Sequence, residues 1–330
     1  MEYVNLGRSG LRVSRLVLGT MNIGWTTDEQ DGHRLLDRGL ELGINFVDTA
    51  NIYGGGHTHP GFTEEVLGRW FAQGGDRRER TVLATKCYQA MVPFGKPEPW
   101  PNDRGLSALN IRRQVDASLQ RLQTDHIDLL QMHHVDRAAS WAEVWEAFSV
   151  LRQQGKVTYF GSSNFAGWHI ASMQEAADDL GMLGLISEQS VYSLLRRQVE
   201  LEVLPAAQHY GLGVIPWSPL SGGLLGGILR KQKEGRSAGA MATRGLELHG
   251  EQIQRYENLC DELGEHPADV GLAWLLHQPA VTGPIIGPRN NAQLEASLRA
   301  LEIKLDEAAL KKLDEIFPGP GGAAPEAYAW

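Results

Sequence analysis

Thiols are scarce in this chain: Cys87 and Cys260 are the two cysteines among 330 residues. Two cannot build the disulfide framework that stabilises small secreted proteins, so a reducing cytoplasm is the expected setting. Cys87 directly follows Lys86, but the simplest reading is a buried thiol. Long apolar runs are missing too. None approaches the roughly 18 residues needed to cross a bilayer, and MEYVNLGRSG carries no basic segment followed by an apolar one, so neither a membrane span nor a secretory signal is expected. A basic excess is also absent: Lys and Arg number 31 against 40 Asp and Glu, a net charge of −9. Such a chain lacks the cationic face of a phosphate-backbone binder, which excludes nucleic acid as a partner, although a small anion needs only a few local cations. Finally, no G-x-G-x-x-G joins a strand to a helix. The cluster GGLLGG at 222–227 has the wrong spacing for a Rossmann fingerprint and comes late.

What is present is a repeating pattern. With 42% hydrophobic residues the chain can bury a sizeable core. Short, continuous, β-branched runs fall at 16–19, 45–48, 82–86, 127–133, 157–162, 185–189, 213–217 and 282–287, as expected of strands buried on both faces of a parallel sheet. Helical stretches separate them. Leu35, Leu36, Leu40 and Leu42 share a face of 28–42, which Gly43 terminates. Ser107 opens a stretch with Ile111, Val115, Leu119 and Leu122 at helical spacing. Ser140-Trp-Ala-Glu143 reads as a capping box. Further helices are read at 166–179, 198–209, 251–263, 267–277, 290–300 and 306–316. Eight strand–helix units without a linker predict an α/β chain folded as a single (β/α)8 TIM barrel over 1–317. A β-hairpin at 3–6 and 11–13 precedes it as a plug, and 318–330 follows as a C-terminal tail. The interval 222–250, Gly-rich and then basic (Arg230, Lys231, Lys233, Arg236, Arg244), is either a functional loop or a disordered insert.

Barrel chemistry sits at the C-terminal ends of the strands. Those ends carry Asp48, Lys86, His133 and His134, and Tyr53 lies in the loop after Asp48. A phenol with an ordinary pKa near 10 is a weak acid at neutral pH. A lysine cation would lower that value, a carboxylate would hold the lysine charged, and an imidazole would hydrogen-bond the reacting oxygen. Each residue alone has an ordinary structural explanation: a helix cap, turn packing, a solvated amine, a spacer. Their convergence on one rim points to proton donation by Tyr53.

INFVDTANIYG, VLATK, IDLLQMHHVD, GKVTYFGSSNF, SEQSVYS, WSPLSGGLLGG and GPIIGPRNNAQLEAS follow one another in the order found in the aldo-keto reductase superfamily, which the chain resembles over about residues 3–317. The resemblance implies a catalytic tetrad of Asp48, Tyr53, Lys86 and His133, with His134 lining the pocket where relatives often carry Arg. It implies an NADPH/NADP+ cofactor, its carboxamide on Ser163, Asn164 and Gln189 and its nicotinamide against Trp217. Ser218, Leu220, Gly222 and Leu224 would line the pyrophosphate, and Arg289 with Gln293 would grip the adenosine phosphate. A guanidinium there suits a 2′-phosphate. Ala296-Ser297 stands where relatives often have Glu-Asn, a departure that touches the adenine contacts.

The rim loops 21–25, 87–105 and 222–250 would shape the substrate pocket. The second is rich in proline and aromatics (Pro93, Phe94, Pro97, Pro99, Trp100, Pro101) and reads as a semi-rigid lid. Trp25, Tyr88 and Trp100 are candidates to stack on a flat apolar face or to pack ordinarily. HHVDRAASWAEVWEAF, GSSNFAGWHIA and EVLPAAQHYGLGV are similar to reductases of nucleotide-activated deoxysugars, implying a small-molecule carbonyl substrate such as a keto group on a nucleotide-bound 6-deoxyhexose. Retention of His133 points to the ketone, since members that reduce C=C bonds tend to carry Glu there. Two rivals are a metal-dependent barrel hydrolase, prompted by His57-Thr-His59 and His133-His134, and a nicotinamide-binding subunit like the potassium-channel β subunits. The hydrolases need an H-x-H at the end of the first strand, where this chain has Gly19-Thr20, so no metal is expected. The channel subunits look to have Asn at the position of His133. Nothing in the sequence specifies an oligomeric state.

Overall fold

The computed structural model describes residues 1–93, 99–233 and 240–324. Within them the hairpin is β1 (Tyr3–Asn5) paired antiparallel with β2 (Arg12–Ser14). Eight parallel strands follow: β3 (Val17–Gly19), β4 (Phe46–Asp48), β5 (Val82–Cys87), β6 (Ile127–Met132), β7 (Val157–Ser163), β8 (Leu185–Gln189), β9 (Gly213–Val214) and β10 (Ile285–Ile286). Each pairs with its chain neighbour, and β10 returns to β3. The last gap closes through loose pairing: the Val214 and Thr282 amides donate to Ala280 and Val214 carbonyls at 2.9 Å, and the Ile285 amide to Pro216 at 2.9 Å. A (β/α)8 barrel results.

The sequence reading expects longer seventh and eighth strands. Pro216 and Pro284 interrupt them, because proline has no N–H to give to a ladder. The helices are α1 (Glu29–Glu41), α2 (Phe62–Phe71), α3 (Ala108–Leu122), α4 (Trp141–Gln153), α5 (Gly167–Asp179), α6 (Val203–Tyr210), α7 (Ile228–Lys233), α8 (Ala240–Leu263), α9 (Pro267–Leu276), α10 (Asn291–Ser297) and α11 (Glu307–Ile316). Of these α2 and α7 were not read from the sequence, α8 starts well before 251, and the 198–209 helix splits into a 3-10 turn at Gln198–Glu200 and α6. The Ser140 hydroxyl caps α4 by accepting from the Glu143 amide at 3.2 Å. Glu143 does not complete a capping box; its carboxylate accepts from the Ala108 amide at 2.9 Å and so serves the start of α3.

Strand alternation separates two cores. Leu18, Val47, Leu83, Leu130 and Phe160 face outward into the sheet–helix layer. Val17, Phe46, Ala84, Leu129, Ile186 and Ile215 face inward, where Leu6 and Val13 from the hairpin pack against them. The hairpin therefore plugs the bottom of the barrel. Its Ser14 amide donates to the Asn45 side chain at 2.8 Å, and its Arg8 amide to Gly211 at 2.7 Å, which ties the plug to the barrel floor.

The tail beyond Ala324, Phe94 and Pro97 of the expected lid, Arg236, and the side chains of Lys231, Lys233 and His57 lie outside the described residues. The Ala324 amide donates to Leu201 at 2.7 Å, so the described part of the tail lies against the 3-10 turn that precedes α6.

Candidate active site

Two residues above the apolar floor, the same alternation points Asp48, Lys86 and Gln131 inward from the adjacent strands β4, β5 and β6, and Gln189 reaches the same layer from the end of β8. All four are buried, Lys86 completely. The Lys86 ammonium donates to Asp48 Oδ2 at 2.6 Å, to the Thr49 carbonyl at 2.8 Å and to the Tyr53 hydroxyl oxygen at 3.5 Å. An ammonium has three protons and no acceptor, so these partners use all of them. Asp48 Oδ1 in turn accepts from Gln131 Nε2 at 3.0 Å and from Gln189 Nε2 at 2.8 Å. Gln189 also donates to Gln131 Oε1 at 3.0 Å. Each of the four side chains is thus hydrogen-bonded to at least one other, and the two charged groups are fully paired, the condition under which such a pair is tolerated.

The phenol of Tyr53 sits at the open end of this chain of contacts. Because Lys86 donates to its oxygen, its own proton is left for another acceptor, and Tyr53 also lines a cavity of about 180 Å³ with Met21, Trp25, Gly54 and Gly56. Burial pushes the phenol above its ordinary pKa; the Lys86 charge pulls it back and Asp48 adds to the rise. The sequence reading expects the lysine to lower the phenol, but burial outweighs it, so the group stands protonated at neutral pH. Burial also works against the Lys86 charge, yet Asp48 and Tyr53 overcome it and leave the amine raised.

The loop that carries Tyr53 is held by its own helix: the Tyr53 carbonyl accepts from the Gly61 and Thr63 amides, both at 3.2 Å, at the start of α2. His133 follows β6, its amide bonded to Cys87 at 3.0 Å. Its ring stands edge-on to Tyr53, with 6.1 Å between centroids. The His134 ring lies parallel to it at 5.2 Å and meets Tyr88 at 5.5 Å; burial lowers the His134 pKa and favours the neutral imidazole. Trp25, 56% exposed, borders the cavity, whereas Trp100 is 81% exposed and lies outside its lining. Cys87 faces the outer core, where burial pushes its thiol up to about 12. At neutral pH it is an inert thiol.

A second group of residues rims the same end. Asn164 holds a left-handed backbone (φ +61°), as do Ser218 (+54°) and Ser221 (+48°), conformations that non-glycine residues seldom adopt away from functional sites. The Asn164 amide nitrogen donates to the His133 carbonyl at 3.2 Å and to Ser163 Oγ at 2.9 Å, and its oxygen accepts from Trp217 Nε1 at 3.0 Å. Ser163 Oγ donates to the Gln189 carbonyl at 2.8 Å. Leu220 and Leu224 flank a 3-10 turn at Ser221–Gly223. Arg289 is exposed, and its amide donates to Gln293 Oε1 at 2.8 Å beside the start of α10.

A model of the aldo/keto reductase family matches residues 15–317. This chain belongs to the aldo/keto reductase family. It is 55% identical to the uncharacterized oxidoreductase YrpG of Bacillus subtilis (strain 168), over 100% of each chain. It is 32% identical to the versiconal hemiacetal acetate reductase of Aspergillus parasiticus, over 96% of this chain and 97% of that one. It is also 32% identical to a putative voltage-gated potassium channel subunit beta of Schizosaccharomyces pombe, over 94% of this chain and 92% of that one.

Members of the family generally use a nicotinamide cofactor, and the rim of this aldo/keto reductase fits one. Gly222 (φ +66°) and Gly223 (φ +96°) take backbone conformations that favour glycine, and the direction a side chain would occupy is open space at both. Backbone N–H groups in such a turn can approach a phosphate closely. The 37% exposure of Trp217, with its indole nitrogen tied to Asn164, leaves ring surface for a flat aromatic partner. Donors of Ser163, Asn164 and Gln189 are engaged within the protein, so what they offer a ligand amide is acceptor oxygen.

Two members of this aldo/keto reductase site escaped the sequence reading. Gln131 was legible in principle, since it lies two residues before His133 and so on the same strand face. Glu188 stood within an apolar strand run, and a carboxylate there is itself a signal that something local must compensate it.

Proposed function

We propose that this chain is an NADPH-dependent carbonyl reductase of the cytoplasm, with Tyr53 as general acid. The observation that carries the reading is the donor arithmetic at Lys86: an ammonium whose three protons are taken accepts none from Tyr53, a residue that lines the cavity, so the hydroxyl proton is left for a ligand there. When bound, the cofactor supplies the hydride. Tyr53 delivers the proton to the carbonyl oxygen, and the Lys86 charge stabilises the phenolate left behind. Asp48 keeps Lys86 charged and aimed, while Gln131 and Gln189 occupy the remaining side of its carboxylate. His133, edge-on to Tyr53, hydrogen-bonds the substrate oxygen and sets its approach. Ser163, Asn164, Gln189 and Trp217 hold the nicotinamide end, Ser218, Leu220, Gly222 and Leu224 the pyrophosphate, and Arg289 with Gln293 the 2′-phosphate.

The catalytic unit in this reading is the barrel of residues 1–317, and 318–330 lies outside it. Two free, buried thiols accord with a reducing compartment. The substrate is a ketone or aldehyde bordered by Trp25, with His134 and Tyr88 beyond His133. A keto group on a nucleotide-activated 6-deoxyhexose is the specific case favoured by the sequence resemblance; the named relatives include reductases of other compounds.

A screen of NADPH oxidation against keto-sugar nucleotides, simple aldehydes, isolated enones and quinones tests this. Tyr53→Phe is expected to lower turnover about 10²–10⁴-fold while cofactor affinity stays close to that of the parent. Turnover of an enone but of no ketone would overturn the carbonyl assignment. The likeness to channel β subunits supports one other reading, a nicotinamide-binding subunit. Tight NADPH binding without turnover of any carbonyl would decide for it.

A further inference from the structure

Glu188 is fully buried on β8, next to Gln189 but on the opposite side of the strand. Where Gln189 reaches into the barrel toward Asp48, Glu188 turns to the end of β7. Its Oε1 accepts from the Phe165 amide at 3.1 Å and from the Ser190 hydroxyl at 2.6 Å, and its Oε2 is hydrogen-bonded to the Ser162 hydroxyl. One carboxyl group therefore grips residue 162, residue 165 and residue 190. Between those three grips lie Ser163, Asn164 and Gln189, the side chains assigned above to the nicotinamide carboxamide.

The arrangement does more than satisfy a buried acid. Asn164 sits in a left-handed conformation that costs on the order of 1–3 kcal/mol in a non-glycine residue and persists only where its surroundings impose it. The bond from the Phe165 amide to Glu188 fixes the chain immediately after that residue, and the Asn164 amide donates to the Gln189 carbonyl at 3.1 Å immediately before it. A hydrophobic side chain would fill the same place between two strands at lower desolvation cost, but it could not hold two strand ends and a loop amide in one register.

We propose that Glu188 is a positioning residue for the nicotinamide carboxamide pocket, holding Ser163, Asn164 and Gln189 in register through Ser162, Phe165 and Ser190. The inference rests on the cofactor assignment given under the proposed function. Calorimetric titration of the full-length protein with NADP+, together with separate KM and kcat values for NADPH and for a carbonyl substrate, tests both. Asn164→Ala serves as the reference for the assignment itself.

Glu188→Ala is expected to raise the NADP+ dissociation constant about tenfold, the loss of roughly one hydrogen bond's worth of geometry, with the carbonyl KM unchanged. Glu188→Gln is expected to restore affinity to within about twofold, because its amide oxygen still accepts from Phe165 and Ser190 while its NH2 meets the Ser162 oxygen. If Asn164→Ala weakens binding and a folded Glu188→Ala protein does not, the positioning role falls and the assignment stands. If Asn164→Ala leaves affinity unchanged, the assignment falls and takes the positioning role with it. Should Glu188→Ala fail to fold, the Ser162→Ala/Ser190→Ala double variant removes two of the three grips. A dissociation constant equal to that of the parent in that variant overturns the proposal.

Discussion

The floor of the barrel and the layer directly above it draw on the same strands, β4, β5, β6 and β8, two or three residues apart, and are chemically opposite. Below, Val17, Phe46, Ala84, Leu129, Ile186 and Ile215 close on Leu6 and Val13 of the plug with no polar side chain among them. Above, Asp48, Lys86, Gln131 and Gln189 form a hydrogen-bonded cluster just as thoroughly buried. The floor gains from burial; the layer above it is stable because its charges are paired and because the hydrocarbon beneath supplies the surplus. Burial alone does not separate them. The difference is that the upper layer meets Tyr53, which lines the cavity, and the lower one faces the plug.

Breaking the ion pair should show this most sharply. Lys86→Met leaves the Asp48 carboxylate buried with two amide donors and no cation. Urea unfolding is expected to show a loss of about 3–5 kcal/mol, with carbonyl reduction abolished in whatever fraction folds. Leu6→Ala attacks the floor instead. A loss of about 2–5 kcal/mol is expected from the transfer and cavity terms, but turnover per folded molecule should be preserved, because the plug touches no reacting atom. Loss of activity in parallel with stability would show that the two layers are one mechanical unit.

A third test compares the cluster with a buried acid just outside it. Burial pushes the Glu188 carboxyl up to about 7, with its hydroxyl and amide partners pulling the other way. Between its ordinary value near 4.5 and about 7, the folded protein holds a proton that the unfolded chain has released. Stability contributed by this group therefore falls as pH rises through that window and is level above it. The total is of order 3 kcal/mol. Glu188→Gln cannot titrate, so the difference between its urea midpoints at pH 5 and pH 8 should be smaller than that of the parent. The smallest effect lies on the helical shell, at the cap of α4. Ser140→Ala should cost about 1 kcal/mol with no change in cofactor affinity. A larger loss would mean that the contact between Glu143 and α3 depends on that cap.

Much of this was readable in advance, and the parts that were not share a cause. The eight strand runs, the helix starts at Ser107 and Ser140, and the hairpin are local patterns, carried by side-chain type over a few residues. The seventh and eighth strands are shorter than the runs 213–217 and 282–287, because Pro216 and Pro284 cannot donate to a ladder. Helix α2 was missed because it opens at Phe62 straight out of the Gly-rich Tyr53 loop, without a capping side chain to announce it. At the site, the four strand-end residues could be placed from their position along each strand. Gln131 and Glu188 could not be given partners that way, since those partners lie on other strands.

The sequence by itself determined the period: which residues alternate inward, which long stretches run helical, and where the first six parallel strands end, because these depend on neighbours in the chain. Tertiary structure alone decided that Tyr53 is raised rather than lowered, that the Cys87 thiol is raised, and that Glu143 serves another helix than its own. Each of those outcomes is a balance of burial against a charge or donor brought from a distant segment, and such a balance has no value until the barrel has closed.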